Sequence, residues 1–405
     1  MTIPALTVPQ VRLIQLHALG LLHPPSSAAV KADVLTSIRR MGLLQIDTIH
    51  VVARSPYFVL FSRLGEYNPT WLDELLAEGS LFEQWAHAAC FIPIEDYPLI
   101  RRQVLDNVHG SYFSGWVEEN AAVVQQVLSA LQERGPLRSA DFKSPKQPGG
   151  WWNWKEEKIA LEYLFSQGEL VVVRRENFQR VYDLHERAKP DWDDSLVPPL
   201  EEVYRSMVLK TIKVLGVALP AWVADYYRLP KRLIPGILSE LLASGALRET
   251  QVEGWNETGL YLPEDEPLLD AARTGDLDAD HTTLLSPFDP LTWDRARVRQ
   301  LFGFDFMIQA YTKAEKRTFG YFPLPILRRG QLVGRMEAKA FRKEGVFEVR
   351  GLYLEHGVEM TRDLASDLAR AVELCAQWHK TPQVVLSSEL PEALANALDQ
   401  ELHKE

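Results

Sequence analysis

The chain has 405 residues, 46% hydrophobic and 24% charged, with a formal net charge of -11. That length and apolar content suit two or three domains, and the ordinary charged fraction excludes wholesale disorder. No apolar run approaches the ~20 residues that span a bilayer, residues 1–10 lack a secretory pattern, and two cysteines, Cys90 and Cys375, supply neither a disulfide framework nor a zinc site; a cytoplasmic protein is expected.

In chain order, residues 8–21 and 29–41 read as helices, the second ending at Gly42. A helical pattern that runs through a glycine into a short apolar segment occurs at residues 37–47, 162–172 and 240–248. In each, glycine can take the left-handed conformation that closes a helix before a strand. Ahead of the second copy lies an amphipathic helix over residues 121–134, with Val124, Val127, Leu128 and Leu131 on one stripe. Ahead of the third, residues 203–215 do the same, and residues 222–227 follow. After both copies the chain reads strand, turn, strand: 171–173 to 180–182, and Leu247 to 260–262. Helix, helix, helix and hairpin is the order of a winged helix-turn-helix. The first copy fits less well, with one clear helix before it.

From about Leu284 the pattern changes to strands at residues 319–327, 331–340 and 346–354, an amphipathic helix over 361–378 and a strand at 384–386. The expectation is an α+β chain: three tandem winged helices over residues 1–117, 118–190 and 199–265, then a β-rich, barrel-like domain with a helix over 284–405. Pro-, Gly- or acid-rich linkers lie at 145–150, 190–199 and 263–280.

The charge is distributed unevenly. Residues 1–65, 136–190 and 284–350 carry +4, +2 and +6, while 66–135, 191–283 and 351–405 carry -8, -9 and -6. An acidic body can therefore still carry a basic groove, since binding follows the local field rather than the sum.

Chemistry is suggested first by Leu43-Leu44-Gln45-Ile46-Asp47-Thr48-Ile49. On a strand, Gln45 and Asp47 share one face and Leu44, Ile46 and Thr48 the other. One reading is a polar edge facing solvent. The other is a hydrolytic pair, in which Asp47 orients a water and offsets positive charge on a sugar while Gln45 holds the water in line. His17, His50 and His87 sit at no metal-like spacing, and a solitary histidine is usually structural. No phosphate-loop, dinucleotide, zinc-protease or serine-hydrolase motif occurs. Trp151, Trp152 and Trp154, beside Lys155 and Lys158, either stack on a nucleic acid or pack a helix start into the core. Arg328, Arg329, Arg342 and Lys343 read as solvated turn residues. Lys316, Arg317, Arg335 and Lys339, in a net basic segment, are better phosphate candidates.

The blocks 43–49, Val52-Ala53-Arg54-Ser55-Pro56-Tyr57, Trp85-Ala86-His87 with Cys90-Phe91, and Gly150-Trp151-Trp152 with Trp154-Lys155 resemble the YcaQ/AlkZ family of winged-helix DNA glycosylases. So do residues 177–184, 190–194, 222–229, 285–290, Lys316-Arg317 with 320–322, and 329–336, so the resemblance spans nearly the whole chain. It implies three winged helices and a β-rich domain around a DNA channel, with a signature of Gln, an aliphatic residue, then Gln or Asp. Gln45-Ile46-Asp47 is the Asp form, closer to the YcaQ branch. The resemblance implies catalysis by Gln45 and Asp47, and excision of alkylated bases, including interstrand crosslinks, from double-stranded DNA. No cofactor or metal is implied, and a nucleoid-associated monomer is. On this basis Arg54, Tyr57, His87, Trp154, Lys155, Lys316, Arg317, Arg335 and Lys339 are expected at the DNA. The competing expectations are a winged-helix transcription regulator without catalysis, which would ordinarily dimerise to match half-sites, and a protein-binding scaffold.

Overall fold

The computed structural model describes residues 5–108, 110, 113–142, 154–402 and 404. Its fold is mixed α+β, and the chain forms two compact units: residues 1–69, 87–89 and 207–405 in one, and residues 70–86 and 90–206 in the other. These do not coincide with the four consecutive segments expected, because strong contacts join elements far apart in sequence.

In the first unit, helix Val8–Ala18 starts at a reciprocal cap. Gln10 N–H donates to Thr7 Oγ1 and Thr7 N–H to Gln10 Oε1, at 3.3 and 2.8 Å, which satisfies orphan amides of the first turn. Helices Lys31–Met41 and Ser55–Leu64 follow. The last is buried along nearly its whole length. Its Ser62 hydroxyl donates to Leu284 O at 2.9 Å, and its Arg63 forms a two-pronged ion pair with Asp289, at 2.7 and 3.0 Å.

Thr282–Leu284 is the edge of a five-stranded sheet that continues through Leu324–Arg328, Gln331–Phe341 and Val346–Leu354 to Gln383–Leu386. The pairs are antiparallel except the last, which is parallel. A parallel neighbour needs a crossover, and helix Arg362–Trp378 supplies it. Its Leu364, Leu368, Val372 and Cys375 form one buried stripe. At its end Trp378 stacks on Phe61 and Tyr67, with ring centroids 4.7 and 5.4 Å apart. The C-terminal sheet layer is thus fastened to the helix that follows Asp47.

The second unit holds helix Ala121–Arg134, a short 3-10 turn Ser139–Asp141, helix Glu156–Ser166 and the hairpin Leu170–Glu176/Gln179–Leu184. Its turn is Asn177-Phe178, both at positive φ (50° and 67°), between the two expected strands. Glu83 is fully enclosed and receives both Arg175 and Arg180. Burial works against its charge, yet Arg180 and Arg175 hold the carboxyl below its ordinary range. The expected linker at 145–150, with Trp151 and Trp152, lies outside the described residues.

Two helix-helix-hairpin series carry a further shared detail. Leu137 bridges Tyr182, and Ala218 bridges Leu260, so the segment after each first helix adds a strand to its hairpin. The third-copy elements are Leu200–Leu215, Pro220–Tyr226, Ile234–Ala243 and the hairpin Arg248–Thr250/Gly259–Tyr261. The first copy follows the same order from a different start: helix Lys31–Met41, strand Leu44–Gln45, helices Ser55–Leu64 and Thr70–Ala77, then strands Leu81–Trp85 and Ala89–Pro93. Residues 37–47 are therefore the end of a first helix and the strand after it, whereas in the other two copies the glycine closes the last helix before the hairpin.

Candidate active site

The Gln45–Asp47 segment is set by what precedes it. Gly42 caps helix Lys31–Met41 at φ 72°, and a side chain there would collide with the Tyr227 hydroxyl. The helix-ending carbonyl of Met41 accepts the Tyr226 hydroxyl at 2.7 Å. Leu43, Leu44 and Ile46 are buried, whereas Gln45 and Asp47 are only partly so. Ile46 N–H donates to Ala89 O at 2.7 Å, which extends the strand pairing one residue beyond Gln45.

The strand stops there. Ile49 N–H donates to Asp47 Oδ1 at 2.7 Å, a side chain closing a turn on its own backbone two residues on. Thr48, expected on the inner face with Leu44 and Ile46, is consequently exposed. Gln45 and Asp47 still share a side of the segment, opposite Leu44 and Ile46.

Burial raises the Asp47 carboxyl above its ordinary value, against the opposing pull of the Ile49 amide. Among the described residues no cation pairs with it. Partial desolvation and then the Asp47 charge raise the Tyr311 phenol, so Tyr311, although 79% exposed overall, lies near that carboxylate. The Gln45 side chain makes no hydrogen bond among the described residues. The pair thus presents a desolvated carboxylate without a counter-ion, and an amide with donors and acceptor to spare.

The remaining sequence-derived candidates divide by environment. Arg54 precedes helix Ser55–Leu64, and Tyr57 lies in its first turn, with its carbonyl accepting the Tyr67 hydroxyl at 3.0 Å. Lys316 is exposed, and Arg317 lies over the Tyr321 ring at 4.8 Å while its Nε donates to Thr312 O. Lys339 lies over Phe341 at 4.7 Å. Trp154 receives Lys158 over its ring at 3.9 Å, and Lys155 Nζ donates to Phe142 O at 2.9 Å.

Two candidates are occupied internally. Arg335 is 3% exposed, donates to Glu355 and to Asp305 O, and is sandwiched by Phe304 and Phe319 at 4.4 and 4.2 Å. Expecting a phosphate there was wrong, because its charge is compensated inside the fold. His87 stacks on Trp293 at 4.1 Å; its Nδ1 donates to Asp225 O, and its Nε2 accepts from Arg228. Burial, then the Arg228 charge, pushes it down to about 4. It is neutral at physiological pH and offers a phosphate no charge.

Sequence reasoning did not single out Tyr311, or the position of Arg342, whose Nη2 donates to Val52 O at 2.5 Å. Both approach the Asp47 loop from more than 250 residues away in the chain, and no local pattern announces such a contact.

A solved structure of the Streptomyces sahachiroi DNA glycosylase AlkZ is similar in fold, with a TM-score of 0.61 at 15% identity, over 95% of this chain and 100% of that one. The family described as DNA glycosylase AlkZ-like matches residues 38–378, which begin in the helix before Gln45 and end at Trp378. With its match covering most of the sequence, the chain belongs to the AlkZ-like DNA glycosylase family.

Proposed function

We propose that this protein is a monofunctional DNA glycosylase that hydrolyses the N-glycosidic bond of cationic alkylated purines of the N7-alkylguanine type, crosslinked ones included. The observation that carries the reading is the partly buried Asp47 carboxylate, without a cationic partner among the described residues, two residues past an uncommitted Gln45 amide.

The chemistry needs little more. An N7-alkylguanine already bears positive charge and leaves without protonation. As the bond breaks, positive charge moves onto the sugar, as in glycoside hydrolysis generally. Asp47 stabilises that charge, more strongly for being partly removed from water. Gln45 holds the attacking water by its amide, and the water's proton passes to Asp47 or to solvent once the new C–O bond forms. Among the described residues no lysine pairs with Asp47, which favours water over an amine as the nucleophile.

We read the three helix-helix-hairpin series as winged helices that carry double-stranded DNA past this pair, with Arg54, Tyr57, Lys316, Arg317 and Lys339 on the DNA side. The protein acts as a monomer on this reading. The deciding experiment incubates the protein with duplex DNA containing N7-methylguanine and looks for abasic sites by alkaline cleavage. Tight duplex binding with no base release would favour a regulator instead.

A further inference from the structure

The loop that leads from Asp47 into helix Ser55–Leu64 is ringed by cationic side chains. His50 and Arg54 face each other across an isolated antiparallel bridge, which folds the segment into a tight turn. From the hairpin turn after strand Gln331–Phe341, Arg342 reaches this turn and donates Nη2–H to Val52 O. Repulsion is the result. The His50 proton affinity is lowered by burial, then by Arg342 and Arg54. Burial lowers Arg342 as well. Among the described residues, no carboxylate bonds Arg342 or His50.

Behind them lies His379, at the end of helix Arg362–Trp378 and 4% exposed. Its Nδ1 donates to Cys375 O at 2.6 Å, which leaves Nε2 an acceptor without a hydrogen-bond partner. Burial, with smaller contributions from Arg342 and His50, pushes His379 down to about 4. It is a neutral wall, as is the buried Cys375, whose thiol burial pushes up.

We propose that His50, Arg54 and Arg342 form a pocket for one phosphodiester of the DNA, next to the nucleotide on which Asp47 acts; this rests on the glycosylase reading above. A phosphate compensates the Arg342 charge and lets His50 keep the proton that Arg342 and Arg54 otherwise drive off, and the guanidinium fork fits its oxygens. The location follows from the chain. His50 is three residues beyond Asp47, at most about 10 Å along extended backbone. Gripping a phosphate there would fix the sugar relative to Asp47, which makes these positioning residues.

His50 adds a proton linkage. It is neutral in the free protein at neutral pH, and a bound phosphate raises its pKa. Affinity therefore grows as pH falls from the value in the complex toward the lower one in the free protein. Arg342 from the hairpin turn, Arg54 from its own loop and His379 from the C-terminal helix are the charged or titratable groups around it, and His379 stays neutral above about pH 5.

The test measures binding of the full-length protein to a duplex holding a 2′-fluorinated, uncleavable N7-methylguanine, as a function of salt. Arg342→Gln should lower the log–log salt slope by about 0.9 at pH 7.5, and Arg342→Lys should restore it. His50→Gln should leave the slope unchanged at pH 7.5 but abolish the extra steepness of the parent at pH 5.5. Its side chain makes no hydrogen bond among the described residues, so this variant guards against a folding defect at Arg342. A single neutral methylphosphonate beside the lesion should weaken the parent several-fold and leave Arg342→Gln unaffected. If the parent excises and binds normally while both variants keep its slopes, or ignores methylphosphonates at every flanking linkage, the pocket is wrong and the glycosylase reading stands. If the parent neither excises nor binds any duplex, both fall.

Discussion

The Asp47 carboxylate accepts the amide of Ile49 at 2.7 Å, and that single bond both closes the turn after strand Leu44–Gln45 and orients the Asp47 side chain. One carboxylate oxygen is held by the turn, and the other is left for the chemistry proposed above. Asp47→Asn is nearly isosteric and keeps an oxygen for Ile49. It should abolish most excision of N7-methylguanine while duplex affinity stays within a few-fold. Gln45→Ala should impair excision less, because other groups can place a water imperfectly. Single-turnover assays decide the point, and parental rates in Asp47→Asn would remove Asp47 from the mechanism.

The pH dependence follows from the same residue. Its carboxyl is raised in the folded protein, chiefly by burial, so excision should fail as pH drops through a value above the ordinary ~3.9. Stability moves oppositely. A group whose folded pKa is raised contributes stability below its unfolded pKa, and that contribution is lost as pH rises through the folded pKa. Ionised Asp47 therefore burdens the fold at neutral pH. Asp47→Asn should melt higher than the parent at pH 7, and the gain should vanish below about pH 3.9. Thermal melts across pH measure it; a lower Tm for the variant at pH 7 would contradict a desolvated, unpaired carboxylate.

Beneath the site, the Arg63–Asp289 pair is enclosed at 3% and 0% side-chain exposure. It joins the helix after Asp47 to the segment after strand Thr282–Leu284. Removing one partner strands the other's charge, so Asp289→Ala should cost about 3–5 kcal/mol. The double replacement Arg63→Met with Asp289→Leu should recover most of it. Denaturant titrations of the parent, Arg63→Met, Asp289→Leu and the double variant read the coupling directly, and additive single effects would show that the pair is not a unit.

Much of this arrangement was readable in advance, but in fragments. Gly42 announces the helix end, and the alternation of Leu44, Gln45, Ile46 and Asp47 places the pair on one side, since both signals are local. The phase of the first repeat was misread because the same helix-glycine-strand pattern serves a first helix as well as a last one. Arg335 counted as a free cation in a basic stretch, and only the fold brings Glu355, Phe304 and Phe319 around it. Ser286-Pro287-Phe288-Asp289 stood out as a block, yet its reason is a buried partner 226 residues earlier, at Arg63.

The last prediction separates lesions by their leaving group. A cationic base such as N7-methylguanine departs neutral, whereas uracil departs as an anion and needs a proton donor or a positively charged site. Asp47 is raised by burial, opposed by the Ile49 amide, and in the mechanism proposed above it acts in its ionised form, with no proton to give. Gln45 carries no charge, so neither group helps an anion leave. Of the histidines named above, His87 is pushed down to about 4 and burial lowers His50 as well, so neither holds a spare proton at neutral pH. Excision should therefore favour N7-methylguanine over uracil by orders of magnitude in matched duplexes. It should also survive EDTA, because the described residues contain no cluster of three His, Cys, Asp or Glu side chains to serve as ligands. Efficient uracil release would mean that a proton donor or cation reaches the leaving group, and Asp47 would then have to act as an acid rather than as a fixed negative charge.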